Sequence, residues 1–254
     1  TSLRLPHGAS GLFSTALLFG LSIMVGQAAT FTVTVFTDTA SGGAAGTGAG
    51  IAGDLRSQIL AANAAGGADV INFTCGAPPC TITLSGPLPP ITESLTIDGG
   101  TMGNIIIDGA SSYRVFFVDT GTVALQNLIV RNGRAQGGAG GTGDGGGGGG
   151  AGLGGGLFVN QIGAAVSLTN VRFQNCSAIG GAGAIYVSTA YPGGGGGGMA
   201  FRGGGATANT GAPGGGGVLA QGVDISSGTS GTNGGDGGGG GGGRLGAGTP
   251  GAGG

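Results

Sequence analysis

The sequence has no lysine and no tryptophan, one histidine, one glutamate and three cysteines. All eight basic residues are therefore arginine, set against nine aspartates and Glu93 for a formal charge of −2. Charged residues make up 7 % of the chain, too sparse and too balanced for a basic nucleic-acid or membrane-surface patch. The histidine, His7, falls in an N-terminal segment expected to be removed. Without His or Lys the chain lacks the means for Ser/His/Asp or Cys/His catalysis, Schiff-base chemistry and histidine metal sites. No cofactor is expected. Glycine, in contrast, occupies 70 of 254 positions. Collagen is excluded because the run Gly145–Gly150 breaks any three-residue register.

Residues 1–28 read as a secretory signal, with Arg4 in a short leading region, an apolar run from Leu12 to Val25, and Gly26-Gln27-Ala28 before the cut. Cleavage is expected after Ala28, with Ala29 as the rival. About 14 apolar residues fall short of the roughly 20 that a membrane-spanning helix needs, so no span is expected in the mature chain. Both ends of the sequence look cut, Thr1 standing where Met would start and Gly254 ending in low-complexity sequence. Export also suits the cysteines. Cys75 and Cys80 flank the turn-prone Gly-Ala-Pro-Pro and are expected to form a local disulfide, leaving Cys176 as a small apolar residue.

Beyond the signal, hydrophobic patterning gives one helix and many short strands. Phe31–Val35 alternates as a strand does. Asp54 to Asn63 reads as a helix, capped by Asp54 and apolar on one side through Leu55, Ile59 and Ala62, with Gly66-Gly67 as its stop. Short strands follow at 70–73, 81–84, 95–98, 105–108, 115–118, 123–125 and 128–130.

Two later stretches repeat at an offset of 43 residues: VALQNLIVRNG from Val123 and VSLTNVRFQNC from Val166. Apolar residues match at Val123/Val166, Leu125/Leu168, Leu128/Val171 and Val130/Phe173, and asparagines at Asn127/Asn170 and Asn132/Asn175. The apolar phase alternates, slips by one at each asparagine and alternates again. A strand turning a corner does this, because Asn tolerates the left-handed conformation and its amide can stack on the next asparagine. A third, degraded copy spans Val218–Gly228. The fold class expected is all-β, a parallel β-helix (solenoid) with 29–80 as cap and first coil and 81–228 as the coiled body. The Asp54–Asn63 helix, with Leu55 and Ile59 facing inward, serves as the capping helix that covers the first coil's open edge. A β-sandwich with glycine-rich loops is the alternative.

The run GDLRSQILAANAAGGADVINF followed by TITLSGPLPPITESLTIDGG resembles the N-terminal region of secreted bacterial right-handed parallel β-helix proteins, some of which carry a CSLREAI-type motif. FQNCSAIGG and GAGAIYV, from Phe173 to Val187, resemble the repeats of polymorphic outer-membrane proteins. The resemblance implies a right-handed coil in a surface or secreted protein that is often adhesive.

Glycine tracts lie at 137–156, at 193–217 and in the low-complexity segment 229–254, the first with 15 glycines in 20 residues. They read as excursions thrown out from one side of successive coils. Two states are open to them: solvated loop, or extended polyproline-II-like strands whose bare backbones approach and hydrogen-bond. Asp144 in GGTGDG sits one place off a calcium nonapeptide and is a poor ligand. Asn72-Phe-Thr74 and Asn175-Cys-Ser177 match glycosylation sequons.

Polysaccharide lyases and hydrolases also use β-helices, but their chemistry needs clustered acids, and Asp98, Asp108 and Asp119 occupy turn positions. The expectation is a secreted or cell-surface structural or adhesive module, neither catalytic nor metal-binding. Its partner would be a cell-surface, matrix or glycan component, or another copy of itself. A carbohydrate-active enzyme and a filament subunit are the competing readings.

Overall fold

The structure, a computed structural model, describes residues 26–40, 48–142, 147–160 and 164–184. The apolar part of the signal, Asp144, the third repeat copy at 218–228 and the glycine tracts at 193–217 and 229–254 lie outside them. No helix among the described residues is long and apolar enough to cross a membrane.

The chain forms β1 (Thr30–Val33), α1 (Leu55–Ala65), β2 (Asp69–Phe73), β3 (Cys80–Thr83), β4 (Leu95–Asp98), β5 (Ile105–Asp108) and β6 (Phe116–Val118). There follow β7 (Thr122–Gln126), β8 (Leu128–Arg131), β9 (Arg134–Gln136), β10 (Leu157–Val159), β11 (Ala165–Thr169), β12 (Arg172–Gln174) and β13 (Ser177–Ile179). The fold is predominantly β, and every strand ladder is parallel. One sheet has the order β1-β2-β4-β7-β11 and another β12-β8-β5-β3, while β10-β6 and β13-β9 are two-stranded. The sheets do not close. β9, β10 and β13 are not legible in the sequence, because three-residue strands beside glycine carry too little alternation to stand out.

The core is built from like residues stacked in register. Ile71, Ile97 and Leu125 line up across the five-stranded sheet, and Ile82, Ile107 and Val130 across the four-stranded one. All six are 0–1 % exposed. Burying a side chain of this kind contributes roughly 1.5–3 kcal/mol. The 43-residue repeat is the pairing register itself: Val166 faces Val123, Leu168 faces Leu125, Phe173 faces Val130 and Ser177 faces Arg134.

The helix starts at Leu55 and runs two residues beyond Asn63, to Ala65, before Gly66 ends it at φ 68°. Asp54 caps it, Oδ1 accepting from the Ser57 amide at 2.7 Å while Oδ2 accepts from the Ile51 amide at 2.8 Å. Leu55, Ile59 and Ala62 are buried, and α1 packs on β1 and β2, next to the strand that ends the sheet. Val35 and Asp54 form a further parallel bridge beside that edge.

Arg56 is the residue whose place the sequence did not reveal. It is 0 % exposed and forks onto Asp38 through Nε and Nη2 at 2.8 and 2.9 Å. The same guanidinium donates to the Pro87 and Gly86 carbonyls at 2.7 and 3.0 Å. It thereby ties the helix to two segments distant in sequence.

Candidate functional site

Four asparagines make the corners. Asn127 and Asn132 sit at φ 55° and 51°, and Asn170 and Asn175 both at 51°. Asn127 separates β7 from β8, Asn132 separates β8 from β9, and Asn170 and Asn175 do the same between β11, β12 and β13. These conformations strain most side chains, and a short amide tolerates them. The corners also stack: Asn170 Nδ2 donates to Asn127 Oδ1 at 3.1 Å, and Asn127 Nδ2 donates to Asp98 Oδ1 at 2.8 Å. Asn132 Nδ2 donates to both carboxylate oxygens of Asp108 at 3.1 Å. A parallel arrangement joins Asn160 Nδ2 to Asp119 Oδ1 at 2.8 Å.

The acids considered for catalysis are therefore held in corner hydrogen bonds. Asp98 accepts from the Gly100 amide and Asp108 from the Ala110 amide, the local turn bonds expected of Asp at these positions. Arg131 Nε adds an ion pair to Asp108 at 2.7 Å. Burial by itself would raise the Asp108 carboxyl, but hydrogen bonds from Ala110, Arg131 and Asn132 outweigh it and hold the group below its ordinary value. A depressed carboxylate stabilises the fold fully above its unfolded pKa of about 3.9 and progressively less as pH falls through the lower folded value. Thermal unfolding followed by circular dichroism is expected to show stability falling below about pH 4, with a shallower fall in Asp108→Asn.

Replacing Asn127 by alanine is expected to cost roughly 1–2 kcal/mol for the left-handed backbone and about 1 kcal/mol more for each of the two lost side-chain bonds, to Asp98 and from Asn170. Asn127→Gly retains the corner and loses only the two bonds. Denaturant unfolding of the two variants should rank alanine as the more harmful.

Cys75 and Cys80 are joined by a disulfide with Cα atoms 6.0 Å apart. Cys176 is free and half-buried, packed against the core with Sγ 3.5 Å from the Gln174 carbonyl oxygen. Among the described residues no group of three or more His, Cys, Asp or Glu is placed to hold a metal.

The described glycine segments are ordered by backbone contact. Gly147 and Gly150 donate to the carbonyls of Gly141 and Gly138, an antiparallel pairing. Gly181 and Ala184 donate to Gly150 and Gly147, again antiparallel, while Gly137 and Gly140 donate to Ile179 and Ala182 in parallel. Each segment thus bonds to the other two, and donors recur every third residue. That is the period of a polyproline-II helix, whose three faces can each meet a neighbour. A Cβ at Gly137 would overlap the Gly150 carbonyl oxygen, one at Gly140 that of Gly147, and one at Gly149 that of Gly181. The abundance of glycine here follows from that closeness. Gly140→Val is expected to separate the segments and remove hydrogen-exchange protection from the Gly137, Gly147 and Gly150 amides, leaving the sheet amides protected.

The layer is fastened to the strands at its far end. Arg114 donates from Nε and Nη2 to the Leu153 carbonyl at 3.2 and 2.9 Å and from Nε to the Gly154 carbonyl at 3.1 Å. Its guanidinium lies 5.7 and 5.4 Å from the ring centres of Phe117 and Phe158, which stack on each other across β6 and β10. Burial pulls its pKa below the usual guanidinium value. The described part of the glycine layer between these anchors carries no charged side chain.

No family model, curated protein or solved structure matches the chain.

Proposed function

We propose that the chain is an exported, non-catalytic right-handed parallel β-helix that acts at the cell surface or outside the cell as a structural or adhesive module. The observation that carries this reading is the glycine layer: three glycine-rich segments bonded at every third residue, whose described residues carry no charged side chain. Such a layer suits close, shape-based apposition to another surface. The solenoid reading is supported by the constant 43-residue register between β7–β9 and β11–β13 and by stacked asparagine corners. The right hand comes from the resemblance to secreted β-helix proteins. Engagement of Asp98, Asp108 and Asp119 by corner amides supports a structural use of the carboxylates.

The test is retention of the secreted chain on glycan-coated, matrix-coated and self-coated surfaces. Retention that falls in Gly140→Val while the sheets stay folded is the expected result. Release of reducing ends or unsaturated sugars that is lost in Asp98→Asn or Asp108→Asn would overturn the reading in favour of a carbohydrate-active enzyme.

A further inference from the structure

Asp69 opens β2 and is 1 % exposed. Its Oδ1 accepts a 2.7 Å hydrogen bond from the nitrogen of Ala29, and its Oδ2 is buried with no partner. A buried carboxylate with one oxygen unanswered is costly, because an ionised group out of water needs its lone pairs satisfied. A peptide nitrogen carries a single N–H and satisfies one oxygen only. The export cut expected after Ala28 falls immediately before this nitrogen. Ala29 is half-buried and its carbonyl accepts from the Val70 amide at 2.9 Å, whereas Gly26, Gln27 and Ala28 are exposed, Gly26 and Gln27 lying against the Gly66-Gly67 turn.

We propose that Ala29 is the first residue of the mature chain and that its free α-ammonium forms a buried ion pair with Asp69, fixing β1 to β2. An export peptidase supplies the cut: water adds across the Ala28–Ala29 peptide bond, the oxygen stays with Ala28 as a carboxylate, and the Ala29 nitrogen leaves as an amine that takes up a proton. The ammonium has three donors, enough to reach both oxygens of Asp69. The inference rests on the export reading and adds a recognition site for the product of that cut.

Few other charges bear on the pair. β1 and the last turn of α1 carry no ionisable side chain, and Arg56 in the first turn of α1 is bound to Asp38. On the neighbouring β4, Asp98 lies at the opposite end of the strand, and Glu93 lies in the loop before it. An amine held by Asp69 has its pKa raised, so its contribution to stability is complete below the unfolded value of about 7.7–8.0 and is lost as pH rises through the folded one.

Residues 29–254 contain no lysine, so a chain running from Ala29 to Gly254 has its α-amine as its one primary amine and the test is direct. Mass spectrometry of the secreted chain should find Ala29 at its start. A full-length chain released to begin at Ala29, dimethylated with ¹³C at its amine, should titrate by NMR at least one pH unit above the ordinary α-amino range, a tenfold or greater shift. In Asp69→Asn, and in a chain begun at Gly26, the shift should vanish. The second comparison stands even where Asp69→Asn fails to fold. A secreted chain starting elsewhere overturns the cleavage assignment, and an ordinary amine pKa in the chain starting at Ala29 overturns the ion pair.

Discussion

Arg56→Ala is expected to destabilise the protein by about 3–5 kcal/mol, the range found when one partner of a buried ion pair is removed. The side chains of Arg56 and Asp38 are 0 % and 2 % exposed, so water cannot replace the lost guanidinium without opening the helix seat. Four hydrogen bonds disappear together, and the Gly86 and Pro87 carbonyls lose their donor. Asp38 keeps the Ser85 amide and hydroxyl. Burial alone would raise the Asp38 carboxyl, but bonds from Arg56 and Ser85 outweigh it and lower it, so without Arg56 its pKa should climb. Urea unfolding at pH 7 measures the loss. The same series at falling pH should show the difference between wild type and Arg56→Ala narrowing below about pH 4, where the unfolded chain begins to bind a proton at Asp38, and closing as pH falls through the lowered folded value, where the ion pair itself is lost. Arg56→Lys is expected to recover only part of the loss, because a point charge cannot fork onto a carboxylate and two carbonyls at once.

Leu125→Ala is expected to cost about 2–5 kcal/mol, as large-to-small changes in a packed core do. Leu125 is 0 % exposed and stands between Ile97 and Leu168 in the register of the five-stranded sheet. The stack around it is rigid backbone ladder on both sides, so the cavity cannot collapse freely. Leu168 occupies the same place in the repeat 43 residues on, yet it is 48 % exposed on the last described strand of that sheet. Leu168→Ala should therefore cost only about 1 kcal/mol. Denaturant midpoints of the two variants test whether depth in the stack, rather than repeat position, decides the cost.

Some of the fold was legible in advance because it is written in short-range pattern. Alternation over Leu95–Asp98 and the β-branched run Ile105–Ile107 before Asp108 marked those two strands at the bounds observed. The shared spacing of Asn127, Asn132, Asn170 and Asn175 marked the corners, since few residues other than glycine adopt that backbone cheaply. The disulfide and the helix cap were readable for the same reason: each joins residues within about one turn of chain. The glycine tracts carry no such local mark. Composition permits solvated loops and bonded polyproline-II segments equally, and only the positions of Gly138, Gly141, Gly147 and Gly150 against one another show the second at the described residues.

By itself, then, the sequence determined where strands bend, which side of each faces inward, and a 43-residue period that became the strand register. Tertiary structure alone decided which distant groups meet: Arg56 with Asp38, Arg114 with two phenylalanines and the Leu153 and Gly154 carbonyls, and the Ala29 nitrogen with Asp69. The physical reason is range. Backbone preference and hydrophobic alternation act over a few residues and leave a local trace, whereas a buried polar group's partner is set by desolvation, which depends on whatever the packed chain brings beside it.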